Sequence, residues 1–393
     1  MNDLELHSLE IPSVEIVHFL TFSPDGNFFV AGGDGSDTAF IFNTENPGKK
    51  IELKPPDEEP HSSYTYPTSA SFSPKTDQVC VGYSNGLVRL WDFNEMSIGQ
   101  TLKNPKRTIR METKPEETHV SFFPQGEDIL LGSDTKLFIY SITEDEMFLI
   151  NNCLHSKLIS VCVSKFGNLY CAGFDYFASS DNHYGQIFVT LLTDTKDITV
   201  LDFKDPLAVL TMSPNSNYIC AGGVHGRLLI YNVVSKQETY LYNHQNHEIT
   251  SVAFTPDEEC ICTCNYSNGL IFWNVKTGER IIRITEVDFA NYYSNRCCAF
   301  SLDAKYLILA GFNKITINLN PMALWTPSGH IEYVKANEKN EANIVSSVQR
   351  NIMAFFLSNS SLATGLPIMA NIKIFEHLKY YQLIQNNPRF TFE

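Results

Sequence analysis

Three cysteines at alternate positions are the first residues in this sequence whose type and spacing could do chemistry. Cys260, Cys262 and Cys264 stand in the stretch "CICTC", and thiolates are strong ligands for zinc and other soft metals. Alternate residues lie on one face of a β-strand, where binding a metal would need strain and ligands from elsewhere. No Cys-x-x-Cys pair occurs among the ten cysteines. The spacing therefore favours buried strand thiols over a metal site.

Two other features invite a chemical reading. The glycine-rich stretch "AGGDGSD" at 31–37 resembles a phosphate loop, but it separates two apolar segments and no helix follows, so a hairpin turn is favoured. His183, His225 and His247 fall in predicted turns. Signatures of phosphate loops, dinucleotide sites, zinc proteases and serine hydrolases are missing from the sequence. We therefore predict a protein that is not an enzyme and that uses no cofactor, metal or catalytic residue.

The charge and hydropathy of the chain argue against two large classes of partner. The formal net charge is −15 over 393 residues, which repels nucleic-acid phosphates and anionic lipid. The first residues, "MNDLELHSLEIPSVEIV", lack the basic region of a signal peptide, and no stretch of about 18 apolar residues occurs. We expect an intracellular protein, nuclear or cytoplasmic, with reduced cysteines, no bulk nucleic-acid binding and no direct membrane insertion.

The chain repeats one pattern along nearly its whole length. "SASFSPKTDQVCVGYSNGLVRLWDF" at 69–93 and "SVAFTPDEECICTCNYSNGLIFWNV" at 251–275 are two clear copies. A marker residue ends the first apolar segment of each unit, and it recurs at intervals of about 40 to 50 residues. The markers are Phe22, Phe72, Phe122, Val163, Met212, Phe254 and Phe300, and a weaker copy follows at Phe356.

Each unit reads as four short strands separated by turn residues, which makes a small antiparallel sheet. Such sheets bury their faces by stacking in a ring, so the predicted fold is an all-β propeller over 1–393 as a single domain. Eight sequence units are counted, with seven blades if the last unit is not a blade. Residues 1–16 offer a ring-closing strand at 4–11, and 335–393 form a degenerate last blade or a C-terminal extension. Within the last unit, 341–356 reads either as a short helix or as an opening strand.

The residues at the ends of the third strands carry a family resemblance. "VRLWDF", with Trp91 and Asp92, and "LIFWNV", with Trp273 and Asn274, resemble the WD-repeat family of β-propellers. That family often ties each blade with a hydrogen-bonded His, Ser or Thr, Asp and Trp. Only the sixth unit has both a fitting His247 and the Trp, so we expect apolar stacking to hold the ring together.

Candidate binding residues lie in long, aromatic-rich loops that fall on one predicted face of the ring. Exposed aromatic side chains give large contact areas at low entropic cost and concentrate at interaction hot spots. The alternative is that these rings fold back and cap the blades. The segments are 54–68, 173–185 and 286–296, and the candidate residues are Tyr64, Tyr66, Phe174, Tyr176, Phe177, Tyr184, Tyr292 and Tyr293.

The resemblance implies a protein–protein interaction scaffold that is a subunit of a larger multiprotein complex. Elimination slightly favours a nuclear scaffold, such as a nuclear pore outer-ring or chromatin complex. The alternative is a receptor that reads a short basic or modified peptide at the channel mouth, where an acidic rim suits a lysine-rich tail. A basic cluster at 103–110 is predicted as a solvated loop, with an acidic partner peptide as the alternative.

Overall fold

The chain folds as consecutive antiparallel sheets. A computed structural model describes residues 7–319, apart from 12, 57–64, 94–97, 112–116, 154–155, 180–181, 193, 243–246, 266–268, 285–296, 304–305 and 312–313. Every element within these residues is a β-strand. The strands form seven sheets, which we call blades 1 to 7. The all-β class predicted from the sequence is confirmed.

The first four blades follow one another along the chain, each listed from its inner to its outer strand. The structure begins with β1 (His7–Glu10), which joins blade 7. Blade 1 contains β2 (Ile16–Phe22), β3 (Phe28–Asp34), β4 (Ala39–Asn43) and β5 (Lys50–Leu53), and β9 (Thr101–Leu102) joins its outer edge; blade 2 contains β6 (Pro67–Phe72), β7 (Gln78–Tyr83), β8 (Leu87–Asp92) and β10 (Arg107–Arg110). Blade 3 contains β11 (Thr118–Phe122), β12 (Asp128–Ser133), β13 (Lys136–Ser141) and β14 (Glu146–Asn152). Blade 4 contains β15 (Ser156–Val163), β16 (Leu169–Ser179), β17 (Asn182–Leu191) and β18 (Asp194–Phe203).

The last three blades keep the same order. Blade 5 contains β19 (Leu207–Met212), β20 (Tyr218–Gly223), β21 (Arg227–Asn232) and β22 (Glu238–Tyr242). Blade 6 contains β23 (Ile249–Phe254), β24 (Cys260–Asn265), β25 (Gly269–Asn274) and β26 (Arg280–Ile284). Blade 7 contains β27 (Cys297–Phe300), β28 (Tyr306–Ala310) and β29 (Lys314–Leu319), with β1 as its outermost strand. The seven marker residues named above are the last residues of the seven inner strands.

Ring closure joins the two ends of the described chain. β1 pairs antiparallel with β29, so the outer strand of blade 7 comes from the start of the sequence. Blade 1 packs directly on blade 7, because the Val17 N–H donates to the Gly311 carbonyl at 3.2 Å and the two blades share one apolar cluster. The described residues thus close as seven blades, with no gap for an eighth between them. The eighth sequence unit, at 335–393, and the helix or strand at 341–356 lie outside the described residues.

A hydroxyl caps the turn between the first and second strands in most blades. In blade 2, for example, Ser73 Oγ accepts from the Gln78 N–H at 3.0 Å and donates to Asp77 at 2.8 Å. Such bonds satisfy backbone groups at the point where the ladder ends. Equivalent caps come from Ser23, Ser164, Ser213, Thr255 and Ser301. The repeated Ser/Thr-Pro signal in the sequence is therefore a turn cap.

The same turn contains one left-handed residue, and this gives a stability prediction. Gly26 and Gly126 fill that position with φ 75 and 77, whereas blade 2 places Thr76 there with φ 58. A β-branched residue is strained in this region. We expect Thr76→Gly to raise the free energy of unfolding by about 0.5–1 kcal/mol, after the entropic cost of glycine is subtracted. Urea unfolding measures this change, and the reverse change Gly126→Ala should lower the free energy of unfolding. A Thr76→Gly variant less stable than wild type would contradict the strain argument.

Neighbouring blades approach closely at a glycine of the second strand in blades 1 to 5. At Gly82, an added Cβ would lie 2.4 Å from the carbonyl oxygen of Thr118 in blade 3. At Gly132 and Gly173 it would lie 2.2 and 2.4 Å from leucine side chains of the next inner strand. Gly32 and Gly222 hold the equivalent positions of blades 1 and 5. In these five blades, the glycine marks where the next blade packs against the second strand.

Side-chain hydrogen bonds also link adjacent inner strands, so apolar stacking is not the sole tie between blades. Ser69 Oγ donates to the Thr118 carbonyl at 2.8 Å and accepts from the Val120 N–H at 3.1 Å. Ser160 donates to the Leu210 carbonyl at 3.1 Å, and the Cys298 N–H donates to Ser251 at 3.1 Å. Adjacent blades share apolar clusters, as expected from the sequence, and small hydroxyl residues of the inner strands add hydrogen bonds between them.

The cysteines are unpaired thiols, and nearly all are buried. Cys260, Cys262 and Cys264 lie in β24, which confirms the strand inferred from their spacing. Burial raises the pKa of Cys260 to about 12. Among the described residues, no group of three or more His, Cys, Asp or Glu side chains is arranged to hold a metal ion. These thiols serve as small apolar side chains of the core.

Candidate interaction face at the channel mouth

The seven inner strands surround a central channel. Its cavity has a volume of about 550 Å³ and is lined by residues of all seven blades. Each inner strand begins on the face that carries the connections between blades, and the turns between second and third strands lie on that same face. We call it the upper face. Residues at the start of each inner strand therefore form the upper mouth of the channel.

On the side of blades 1 and 2, an aromatic and ionic group borders the mouth. The rings of His18 and Tyr66 stack with centroids 5.3 Å apart. His18 Nε2 lies 3.0 Å from a carboxylate oxygen of Asp34. Burial raises the pKa of Tyr66, and the carboxylates of Glu117 and Asp34 raise it further. The phenol therefore stays protonated near neutral pH and presents a hydrogen-bond donor.

On the side of blades 3 and 4, a charged pair borders the mouth. Lys157 Nζ lies 3.3 Å from Glu117 Oε2. Burial tends to raise the pKa of Glu117, but Lys157 and His119 outweigh it, so the pKa is lowered and the carboxylate stays charged. Burial lowers the pKa of His119 to about 4 against the opposing effect of Glu117. The imidazole is therefore neutral at pH 7, and no described residue hydrogen-bonds to its buried Nε2.

Blade 5 reverses the expected positions of an acid and a histidine. The sequence places His225 in the turn where the WD-repeat pattern expects Asp, and the structure places a buried Asp205 before the inner strand. Asp205 accepts hydrogen bonds from the N–H groups of His225 and Arg227, and it lies 2.6 Å from His225 Nδ1. The carboxylate thus caps the turn from the opposite side. The exposed half of His225 faces outward on the upper face.

The predicted long loop of blade 4 is a hairpin built from extended strands. β16 and β17 continue to Ser179 and Asn182, so most of 173–185 is strand and the loop interpretation is wrong. Tyr176 and Tyr184 pair across the hairpin with stacked rings 5.5 Å apart. Cross-strand aromatic pairs stabilise such ribbons. The half-buried tyrosine pair therefore stands on the upper face, on the strands that adjoin Lys157 at the mouth.

The structure separates the other candidate residues. Phe174 is 0% exposed and packs edge-on against Phe188 between blades 3 and 4, so it is a core residue and cannot contact a partner. Tyr66 is half-buried at the mouth. The side chain of Phe177 lies outside the described part of the structure, as do Tyr64, Tyr292 and Tyr293.

The mouth residues His18, Glu117, His119 and Lys157 were missed by sequence reasoning. Each is unremarkable alone, and although Glu117 and His119 are two positions apart, about 100 residues separate His18 from Glu117 and about 40 separate Glu117 from Lys157. The one signal in the sequence that could have found them is their position within the repeat, because all four lie within a few positions before a marker residue. Only closure of the ring brings their side chains together.

The tryptophans that carry the family resemblance have different surroundings. Trp273 Nε1 donates to Thr263 Oγ1 at 3.0 Å inside blade 6. Trp91 is fully buried, and its Nε1 has no hydrogen-bond partner among the described residues. Blade 6 therefore keeps part of the hydrogen-bonded set, and blade 2 keeps only the packing of the ring.

Comparison with known proteins agrees with this architecture. The family model of the WD domain, G-beta repeat, matches at 5–37, 59–92 and 235–274. These matches fall on blades 1, 2 and 6. No curated protein matches the sequence. Within the described residues, no helix is long and apolar enough to cross a membrane. With seven blades in a closed ring, six of four strands and one of five, and three repeat matches, the chain is similar to the WD-repeat β-propellers.

Proposed function

We propose that this protein is a non-enzymatic scaffold subunit that holds other proteins together in a larger complex. The observation that carries the proposal is the upper face, where the Tyr176–Tyr184 pair stands beside the polar mouth formed by His18, Glu117 and Lys157. Half-buried tyrosines next to charged groups are typical of protein-binding surfaces. The residues at the mouth are ion-paired or stacked with each other, an arrangement that suits recognition better than turnover.

A nuclear or cytoplasmic location and a place in a nuclear pore outer ring or a chromatin complex remain the favoured setting of this proposal. The acidic net charge of −15 supports protein partners over nucleic acid. It also suits partner surfaces rich in lysine and arginine.

The test replaces the tyrosine pair. We expect Tyr176→Ser with Tyr184→Ser to remove at least one partner that co-purifies in constant ratio with the tagged wild-type protein, since it removes both half-buried rings. The measurement is affinity purification from the native cell with quantitative mass spectrometry. Phe166→Ser, which changes a 68% exposed ring in the turn between β15 and β16 on the opposite face, is the matched control, and thermal unfolding checks the fold. An unchanged partner list from a folded double variant would contradict a role for this hairpin.

A second candidate function is a receptor that reads a short peptide at the channel mouth. The observation that favours it is the cavity of about 550 Å³ behind a mouth with Glu117 and Asp34 carboxylates. A lysine-rich synthetic peptide should then bind the isolated protein without any other subunit. Partners of large footprint in fixed ratio favour the scaffold, and tight binding of the peptide alone favours the receptor.

A further inference from the structure

The rim of the ring carries an apolar surface between blades 3 and 4. Among the described residues, eight large apolar side chains are exposed, and four of them lie on the outer strands of these two blades. They are Phe148 and Leu149 on β14 and Ile198 and Val200 on β18, with 44–54% exposure. Leu149 pairs with Phe138 of the cluster between blades 2 and 3, so it faces away from blade 4. Exposed apolar side chains gathered on neighbouring strands mark interaction sites more than isolated ones do.

Strand register shows which of these side chains face each other. Val200 pairs with Phe188, and Phe188 packs against the core cluster shared by blades 3 and 4. Directly opposed residues lie on one face of a sheet, so Val200 and Ile198 face blade 3. By the same argument Phe148 faces blade 4, because it pairs with Ile139 of that cluster. The two strands therefore form the apolar walls of one groove at the rim.

β18 also has an open edge. It is the last strand of its sheet, and no described strand pairs with its outer side. Near the end of β18, the Tyr240 hydroxyl of blade 5 donates to the Asp202 carbonyl at 3.2 Å. At ten residues it is the longest of the outer strands, and its centre, Ile198, Thr199 and Val200, is β-branched. In an antiparallel sheet every second residue of an edge strand points both its N–H and its C=O outward. A long apolar edge of this kind is a template for another strand.

The outer edges of blades 1 and 2 are protected. In blade 1, β9 adds a fifth strand to β5, where the Lys54 N–H donates to the Leu102 carbonyl at 2.9 Å. In blade 2, the second half of the basic cluster at 103–110, which was predicted as a loop, forms β10 (Arg107–Arg110), in which Ile109 is buried between Arg107 and Arg110. Blade 1 thus demonstrates that an outer edge of this propeller accepts a further strand, and charged side chains guard blade 2.

We propose that the outer edge of β18 binds an extended segment of a partner protein, which adds a fifth strand to blade 4. The inference rests on the proposed scaffold function and names the chemistry of one partner. Alternate side chains of the added strand are apolar and contact Val200, Ile198 and Phe148 in the groove. The segment also carries lysine or arginine, because the exposed carboxylates of Asp202 and Glu146 lie on the same strand faces as Val200 and Phe148.

The experiment uses the full chain and a fluorescent ten-residue peptide of alternating valine and lysine. We expect saturable binding by anisotropy, and slower hydrogen exchange at the outward amides of β18 when the peptide is present. Val200→Lys should weaken binding at least tenfold, because it places a charge in the groove and repels the peptide. Val234→Lys is the matched control, since Val234 is 80% exposed in a turn of blade 5, and it should leave binding unchanged.

Two control peptides separate strand pairing from charge attraction. A peptide with proline at alternate positions lacks half of the pairing donors, and one with glutamate in place of lysine reverses the charge; neither should bind. The proposal would be overturned if Val200→Lys and Val234→Lys bound the peptide equally well, or if the peptide slowed hydrogen exchange only outside β18. Slow exchange at β18 before peptide is added would also overturn it, because residues of the chain's own 320–393 segment would then cover the edge. If partners still co-purify in constant ratio, only this inference falls and the scaffold function stands.

Discussion

Replacing Trp91 with alanine should lower the free energy of unfolding by about 4 kcal/mol. Trp91 is 0% exposed and lies in the core cluster between blades 1 and 2, among Phe93, Val79 and Tyr83. Removing the indole leaves a cavity in an interface that the rest of the ring holds in place, so collapse around it is limited. Urea unfolding followed by tryptophan fluorescence and circular dichroism measures the change.

A milder pair of substitutions tests the different surroundings of the two tryptophans. Trp273→Phe removes the donor to Thr263, whereas Trp91→Phe removes an N–H that has no partner among the described residues. We expect Trp273→Phe to cost about 1 kcal/mol more than Trp91→Phe, which is the net value of one hydrogen bond. Equal costs would indicate that Trp91 Nε1 has a partner. A small loss for Trp91→Ala would contradict its position in the core.

Replacing Gly82 with alanine should cost about 3 kcal/mol, near the upper end of the usual range for overpacking. The new Cβ would lie 2.4 Å from the Thr118 carbonyl oxygen and 3.0 Å from Ser69 Oγ. The same carbonyl accepts hydrogen bonds from Thr68 and Ser69 at 2.7 and 2.8 Å. Because the obstacle is backbone, blades 2 and 3 must move apart, and the bonds between their inner strands lengthen.

Gly48→Ala is the matched control for this substitution. The nearest atom to a Cβ at Gly48 is Asn46 Oδ1 at 3.8 Å, so the change should stay within about 0.5 kcal/mol of wild type. Chemical denaturation of both variants under one set of conditions makes the comparison. If Gly82→Ala were as stable as Gly48→Ala, the close approach of blade 3 to β7 would be wrong.

The repeat was readable from sequence because its signals are local. Phe22, Phe72 and Phe254 were identified as ends of first strands, and all three end inner strands in the structure. Ser73 and its neighbours specify the following turn within five residues, through bonds from the same hydroxyl. Alternation of apolar residues and turn chemistry act over a few positions, so one sequence contains them completely.

The hairpin of blade 4 was misread for an instructive reason. The segment 173–185 contains Gly, Ser, Asp and Asn, which are turn residues in isolation. Pairing of Tyr176 with Tyr184 and of Asp175 with Gly185 overrides that preference and extends the ladder. Phe174 was expected to be exposed with them, but it lies at the level where blade 3 still covers the sheet. Burial depends on the neighbouring blade, which local composition does not reveal.

The sequence by itself determined the all-β class, the four-stranded unit, the turns and the tryptophans that mark the family, since each is specified within one repeat. The tertiary structure decided that blade 7 is completed by β1, that His18, Glu117, His119 and Lys157 meet at one mouth, and that Val200 and Phe148 face a common groove. These features arise between blades. They depend on which surfaces close against each other when the ring forms, and side chains far apart in the chain meet only then.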